Sequence, residues 1–96
     1  PEMVRLMERA AVNGLAPYLA TGHQSVGTMV NVKHLAATPL GATVTAQAEL
    51  LSVEGRRLLF KVSAHDGTEL IGEGTHERAL IDLAKFEQRV AAKRKE

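Results

Sequence analysis

A chain of 96 residues, 45% of them hydrophobic, makes one globular domain, and the whole span 1–96 is read as that domain. Its net charge of +1 excludes a strong general field for nucleic acid, and the absence of cysteine excludes disulfides, thiolate metal sites and a cysteine nucleophile. With no apolar run near membrane-span length and no visible signal peptide, a soluble cytoplasmic protein is expected. At this size only about 60–65% of the unfolded surface is buried, so a partner subunit would help.

Pro1 to Leu19 reads as one helix. At about 100° per residue, Glu2, Arg5, Arg9 and Asn13 form one narrow polar strip, and Met3, Val4, Leu6, Met7, Ala10, Ala11, Val12 and Leu15 fill the rest. Such a helix is expected to be wrapped on several sides. Glu8 breaks the pattern, because it projects into the apolar arc, where a carboxylate must be paired, neutralised or used. Pro1 suits a first helical position. The Ser, Thr, Asp or Asn that would cap this helix belongs just before it, so an N-terminal piece of the natural protein is expected to precede the chain.

Pro17 and Gly22 end the helix. Ser25 to Ala37 reads as a strand whose even positions, Val26, Thr28, Val30, Val32, His34 and Ala36, face the core. Thr38-Pro39-Leu40-Gly41 is a turn. Ala42 to Val53 follows as a strand with small inward residues: Ala42, Val44, Ala46 and Ala48, then Leu50. Glu54-Gly55 and Asp66-Gly67 suit hairpins flanking a third strand, Leu58 to His65. Glu69 to Ile81 is the fourth strand, and Gly72 and Gly74 on one of its faces mark a close approach by another backbone. Asp82 can cap a last helix, Leu83 to about Lys93, whose stripe is Leu83, Phe86 and Val90 and whose tail is basic.

The order predicts an α+β fold with a mostly antiparallel sheet. Four strands with one apolar face and a helix apolar nearly all round fit a sheet curled about that helix, the hotdog architecture. A second subunit often completes the outer wall. Glu8 and His34, both on core-facing sides, are the polar pair to weigh. A carboxylate with an imidazole can act as general base and orienter. From spacing alone, a mutually satisfied structural pair is the commoner outcome for a lone Glu and a lone His on apolar faces. Arg78 can hold a carboxylate or phosphate, or form an edge pair with Glu77 or Asp82. No metal motif, phosphate-binding glycine loop or G-x-S-x-G elbow is present.

The stretches LMERAAVNGLAPYL, SVGTMVNVKHLAATPLG, SVEGRRL, VSAHDG and IGEGTHERALIDLAKF closely resemble the hotdog-fold acyl-CoA thioesterases of the fluoroacetyl-CoA type. The resemblance covers nearly the whole chain. It implies a homodimer that hydrolyses an acyl-CoA, with CoA as part of the substrate and no separate cofactor, metal, nucleic acid or membrane partner. It implies a catalytic Thr, Glu and His. The Glu falls in LMERA at Glu8, and the His falls in VKHLAATP at His34. Gly27 of SVGT would lie beside the acyl group and Arg78 of THER near the site. The Thr would stand immediately before Pro1, where the helix cap is also called for, preceded by a first strand and a lid segment. The other readings are a non-catalytic acyl-CoA binder on the same fold, a purely structural dimerisation domain, and a hotdog dehydratase, which the local motifs match less well than the thioesterases.

Overall fold

The computed structural model describes residues 2–38 and 40–94, without the side chains of Phe86 and Arg94. The expectations placed on Pro1, on Pro39 within its turn, on Phe86 within the last helix's stripe and on Lys95 in the basic tail lie outside the described residues.

The first helix, α1, spans Glu2–Leu15 and passes into a short 3₁₀ turn at Ala16–Tyr18. It stops short of the predicted Leu19 because Pro17 has no N–H to donate and its ring crowds the preceding turn. Gly22, at φ 82°, turns the chain into the first strand. Four strands follow: β1 His23–His34, β2 Thr45–Glu54, β3 Arg57–His65 and β4 Leu70–Asp82. The second helix, α2, spans Leu83–Arg94 and is capped as expected, with the Lys85 N–H donating to Asp82 Oδ1 at 3.2 Å.

All pairings are antiparallel, in the order β1-β4-β3-β2. The two predicted hairpins form. In the second, Gly67 takes φ 92°. Asp66 does not adopt a positive φ; it closes the turn by accepting the Thr68 and Glu69 N–H groups, each at 2.9 Å. The connection from β1 to β2 is not a hairpin, because these strands lie at opposite edges of the sheet. It begins with the Leu35 and Ala36 N–H groups donating to Ile71 O, at 2.8 and 3.3 Å, and β2 then starts three residues later than predicted.

α1 lies mainly on β2 and β3. The buried core is Met7 and Ala11 of α1 with Leu58, Phe60, Val62, Ala64 and Ile71 of the sheet. Each fully buried large side chain contributes about 1.5–3 kcal/mol. Ala46 and Ala48, small as the sequence suggested, pack against this core. The close approach at the paired glycines also forms. A side chain at Gly74 would run into the β1 backbone at Asn31 and Val32, and one at Gly72 into the Met3 thioether. The expected wrapping of α1 on several sides does not occur within this chain: the sheet covers one side, and Val12 stays 40% exposed.

Candidate active site

The site begins with an irregularity in β1. Gly27 pairs with Arg78 and Met29 pairs with Glu77, so Thr28 is an extra residue, a β-bulge. Its hydroxyl donates to Glu77 O at 3.1 Å. The bulge reverses the inside-outside alternation. Val30, Val32 and His34 keep the predicted inward parity, opposite His76, Gly74 and Gly72. Before the bulge, Ser25 and Gly27 face inward in place of the predicted Val26 and Thr28.

Gly27 therefore faces α1 with no side chain in the way. A Cβ placed there would lie 3.2 Å from His76 Cε1, 3.4 Å from Arg78 Nη1 and 3.8 Å from Glu8 Oε2. Glu8, half-buried on the second turn of α1, thus looks across a small gap at a buried guanidinium. Among the described residues the two form no direct ion pair; they interact through the field. Desolvation pulls the Arg78 pKa below its ordinary value, and the nearby negative charge of Glu8 works against that shift.

Arg78 is 7% exposed and held on three nitrogens. Nε donates to Ser25 Oγ at 2.8 Å, Nη2 to Ser25 O at 3.0 Å and Nη1 to His76 Nε2 at 3.1 Å. Behind it, His76 Nδ1 donates to Met29 O at 2.8 Å. The edge pairing with Glu77 or Asp82 considered for Arg78 does not form. Glu77 instead pairs with Arg57 at 3.7 Å, and Asp82 faces His23 at 3.9 Å. His76 and Arg78 share one face of β4, two residues apart. Ser25 was not expected there, although Gly27, a glycine inside the strand next to the extra residue, is the kind of mark a bulge leaves.

His34 is elsewhere. It is exposed at the end of β1, opposite Gly72, on a cavity of about 830 Å³ lined chiefly by apolar groups that include Met3, Val4, Leu6, Val32, Val44 and Ile71. Seven residues of strand separate it from Gly27, roughly 20 Å at about 3.3 Å per residue. One chain thus groups Glu8, Gly27 and Arg78 and does not bring His34 to them. The described residues hold no cluster of three His, Cys, Asp or Glu side chains suited to a metal, and no helix long and apolar enough to cross a membrane.

Chemically, the arrangement sets a carboxylate and a guanidinium on two sides of the side-chain-free Gly27 surface, where a Cβ would lie within 3.8 Å of both. A family model described as the fluoroacetyl-CoA-specific thioesterase matches residues 1–84. The fluoroacetyl-CoA thioesterase of Streptantibioticus cattleyicolor is 60% identical over 91 residues, which are 95% of this chain and 66% of that protein. The chain therefore spans just under two thirds of that relative's length. A crystal structure of a Phe-to-Ala variant of the fluoroacetyl-CoA-specific thioesterase, in complex with fluoroacetate and CoA, superposes with TM-score 0.85 at 60% identity, covering 95% of this chain and 71% of that one. A thioesterase-superfamily member from Thermus thermophilus gives TM-score 0.89 at 31% identity, covering 97% and 69%. The helix-on-antiparallel-sheet fold is therefore the hotdog fold, and the chain belongs to the fluoroacetyl-CoA-specific thioesterase family.

Proposed function

We propose that this protein hydrolyses a short-chain acyl-CoA thioester, with Glu8 as general base. The observation that carries the reading is the Glu8 carboxylate facing the buried Arg78 guanidinium across the side-chain-free surface of Gly27. The acyl group sits over Gly27. Water attacks the carbonyl carbon and forms the new C–O bond while Glu8 takes its proton. Negative charge collecting on the carbonyl oxygen is met by N–H groups on the Arg78 side of the gap, in surroundings dry enough to make them effective. Collapse breaks the C–S bond, the electron pair leaves on sulfur, and the proton held by Glu8 passes to the CoA thiolate. The products are a carboxylic acid and CoA. The small gap supports a short acyl chain, and the relative that holds fluoroacetate and CoA supports the substrate class. CoA enters as part of the substrate, and no step needs a cofactor.

His34 is proposed to hydrogen-bond the thioester or the leaving thiolate. A Thr directly before Pro1 would complete the set as nucleophile or positioning hydroxyl. Since one chain keeps His34 and Glu8 apart, the protein is proposed to act as a cytoplasmic homodimer paired through the free edge of β1. A two-fold register centred between Val30 and Asn31 would set His34 of one copy opposite the partner's Gly27.

The test is release of free thiol from acetyl-CoA and fluoroacetyl-CoA. Glu8→Gln and His34→Ala are each expected to lower kcat/KM by about tenfold or more. Saturable binding of acyl-CoA with no thiol release by the unaltered protein would replace this reading with that of a non-catalytic binder.

A further inference from the structure

We propose that His76 is a positioning residue: its imidazole offers a lone pair, not a proton, to Arg78 and so fixes the guanidinium plane facing Gly27. His76 is 1% exposed and has a polar partner on each ring nitrogen. The two partners demand the same proton placement independently. Met29 O can only accept, so Nδ1 carries the hydrogen. The Arg78 Nη1 can only donate, so Nε2 is bare. The ring is the neutral Nδ1–H tautomer.

The bulge supplies the anchor. Met29 follows the extra residue Thr28, and its carbonyl lies 2.8 Å from Nδ1. With Ser25 Oγ on Nε and Ser25 O on Nη2, the Nε2 lone pair takes the last unheld guanidinium nitrogen. Nη1 is also the Arg78 atom nearest the Gly27 surface. An imidazolium, or the Nε2–H tautomer, would turn one N–H against another and swing Nη1 off its line.

The consequence for turnover rests on the thioesterase reading; the tautomer does not. Nitrogen-15 NMR of the folded protein at neutral pH is expected to show a protonated Nδ1 and a pyridine-type Nε2 for His76. An Nε2–H tautomer or an imidazolium would overturn the proposal. Two variants then separate the ring's two bonds. His76→Asn keeps a donor near the Met29 carbonyl and removes the acceptor for Arg78. His76→Gln keeps an acceptor near the Nε2 position and gives up the Met29 bond. With acetyl-CoA, His76→Asn is expected to lose about tenfold in kcat with KM nearly unchanged, and His76→Gln to recover most of that loss. Equal losses in both variants, or a loss confined to KM, would overturn the positioning role. If the unaltered protein releases no thiol from acetyl-CoA, the functional reading falls, and the NMR measurement still decides the proton placement. If a variant does not fold, the same NMR measurement on the unaltered protein decides.

Discussion

At Gly27 the missing side chain leaves a gap bordered by Glu8 and Arg78, and a single methyl group would fill it. The contacts a Cβ would make, at 3.2 Å to His76 Cε1 and 3.4 Å to Arg78 Nη1, are with side chains rather than backbone. The fold can therefore absorb the change by a few tenths of an ångström, and the site cannot. Gly27→Ala is expected to keep its melting temperature within a few degrees while acetyl-CoA hydrolysis falls by about tenfold or more, mainly in kcat. Hydrolysis at the unaltered rate would mean that the acyl group lies elsewhere. Gly27, Glu8 and Arg78 were all legible in the sequence, Glu8 as a misplaced charge and the other two through resemblance. Their grouping was not, because it depends on a bulge. Glu8 and His34, weighed as a pair because both were read as core-facing, are not brought together, because α1 lies mainly on β2 and β3.

At the scale of elements, two carboxylates hold the ends of β4. Asp66 accepts two turn N–H groups before it, and Asp82 caps α2 after it. These backbone donors stabilise the ionised carboxylates, first Glu69 N–H for Asp66 and Lys85 N–H for Asp82, so both pKa values lie below the ordinary 3.8. A folded pKa depressed in this way gives a contribution that is complete above the unfolded value and lost as pH falls through the folded one. Asp66→Ala and Asp82→Ala should therefore melt below the unaltered protein at neutral pH, and the gap should close between about pH 5 and about pH 2. A gap that stays constant over that range would show that the charge contributes nothing. Both turns were readable because Asp-Gly and a capping Asp are local chemistry. So was the strict alternation of β3, which pairs on both edges. What local pattern could not give was strand order: β1 and β2 are neighbours in sequence and lie at opposite edges, and a turn signal between two strands does not say whether they pair. Among the described residues three bulges, at Thr28, Leu51 and Ile71, shift parity; Gly27 and Gly72 stand beside the first and third, the usual mark of a bulge in a strand, while Leu51 has no such neighbour.

The molecule as a whole exposes more surface than its mass calls for. Its accessible area is 6906 Å², against about 5,400 Å² for a compact monomer of this mass, and its radius of gyration is 15.9 Å against about 12–13 Å. The excess of roughly 1,500 Å² on one chain is about twice the ~800 Å² that each partner contributes to a standard protein interface. Among the described residues β1 is an edge strand paired with β4 alone, and Val26, Met29 and Val30 on it are each more than a third exposed. An uncovered apolar edge of that kind is a pairing template. If two copies pair there about a two-fold axis, each active site takes Glu8 from one chain and His34 from the other, and the two losses can be complemented. Glu8→Gln and His34→Ala proteins, each nearly inactive alone, are expected to regain about a quarter of the unaltered activity when unfolded together and refolded at equal concentration. Half of the dimers are then mixed, and each mixed dimer carries one intact site. A charge at the centre of the pairing, Val30→Lys on both chains, should abolish that recovery and shift the sedimentation mass to that of a single chain. A sedimentation mass of one chain for the unaltered protein, or a refolded mixture no more active than its parts, would return both residues to a site within one chain and leave the distance between them to be closed by a movement of β1.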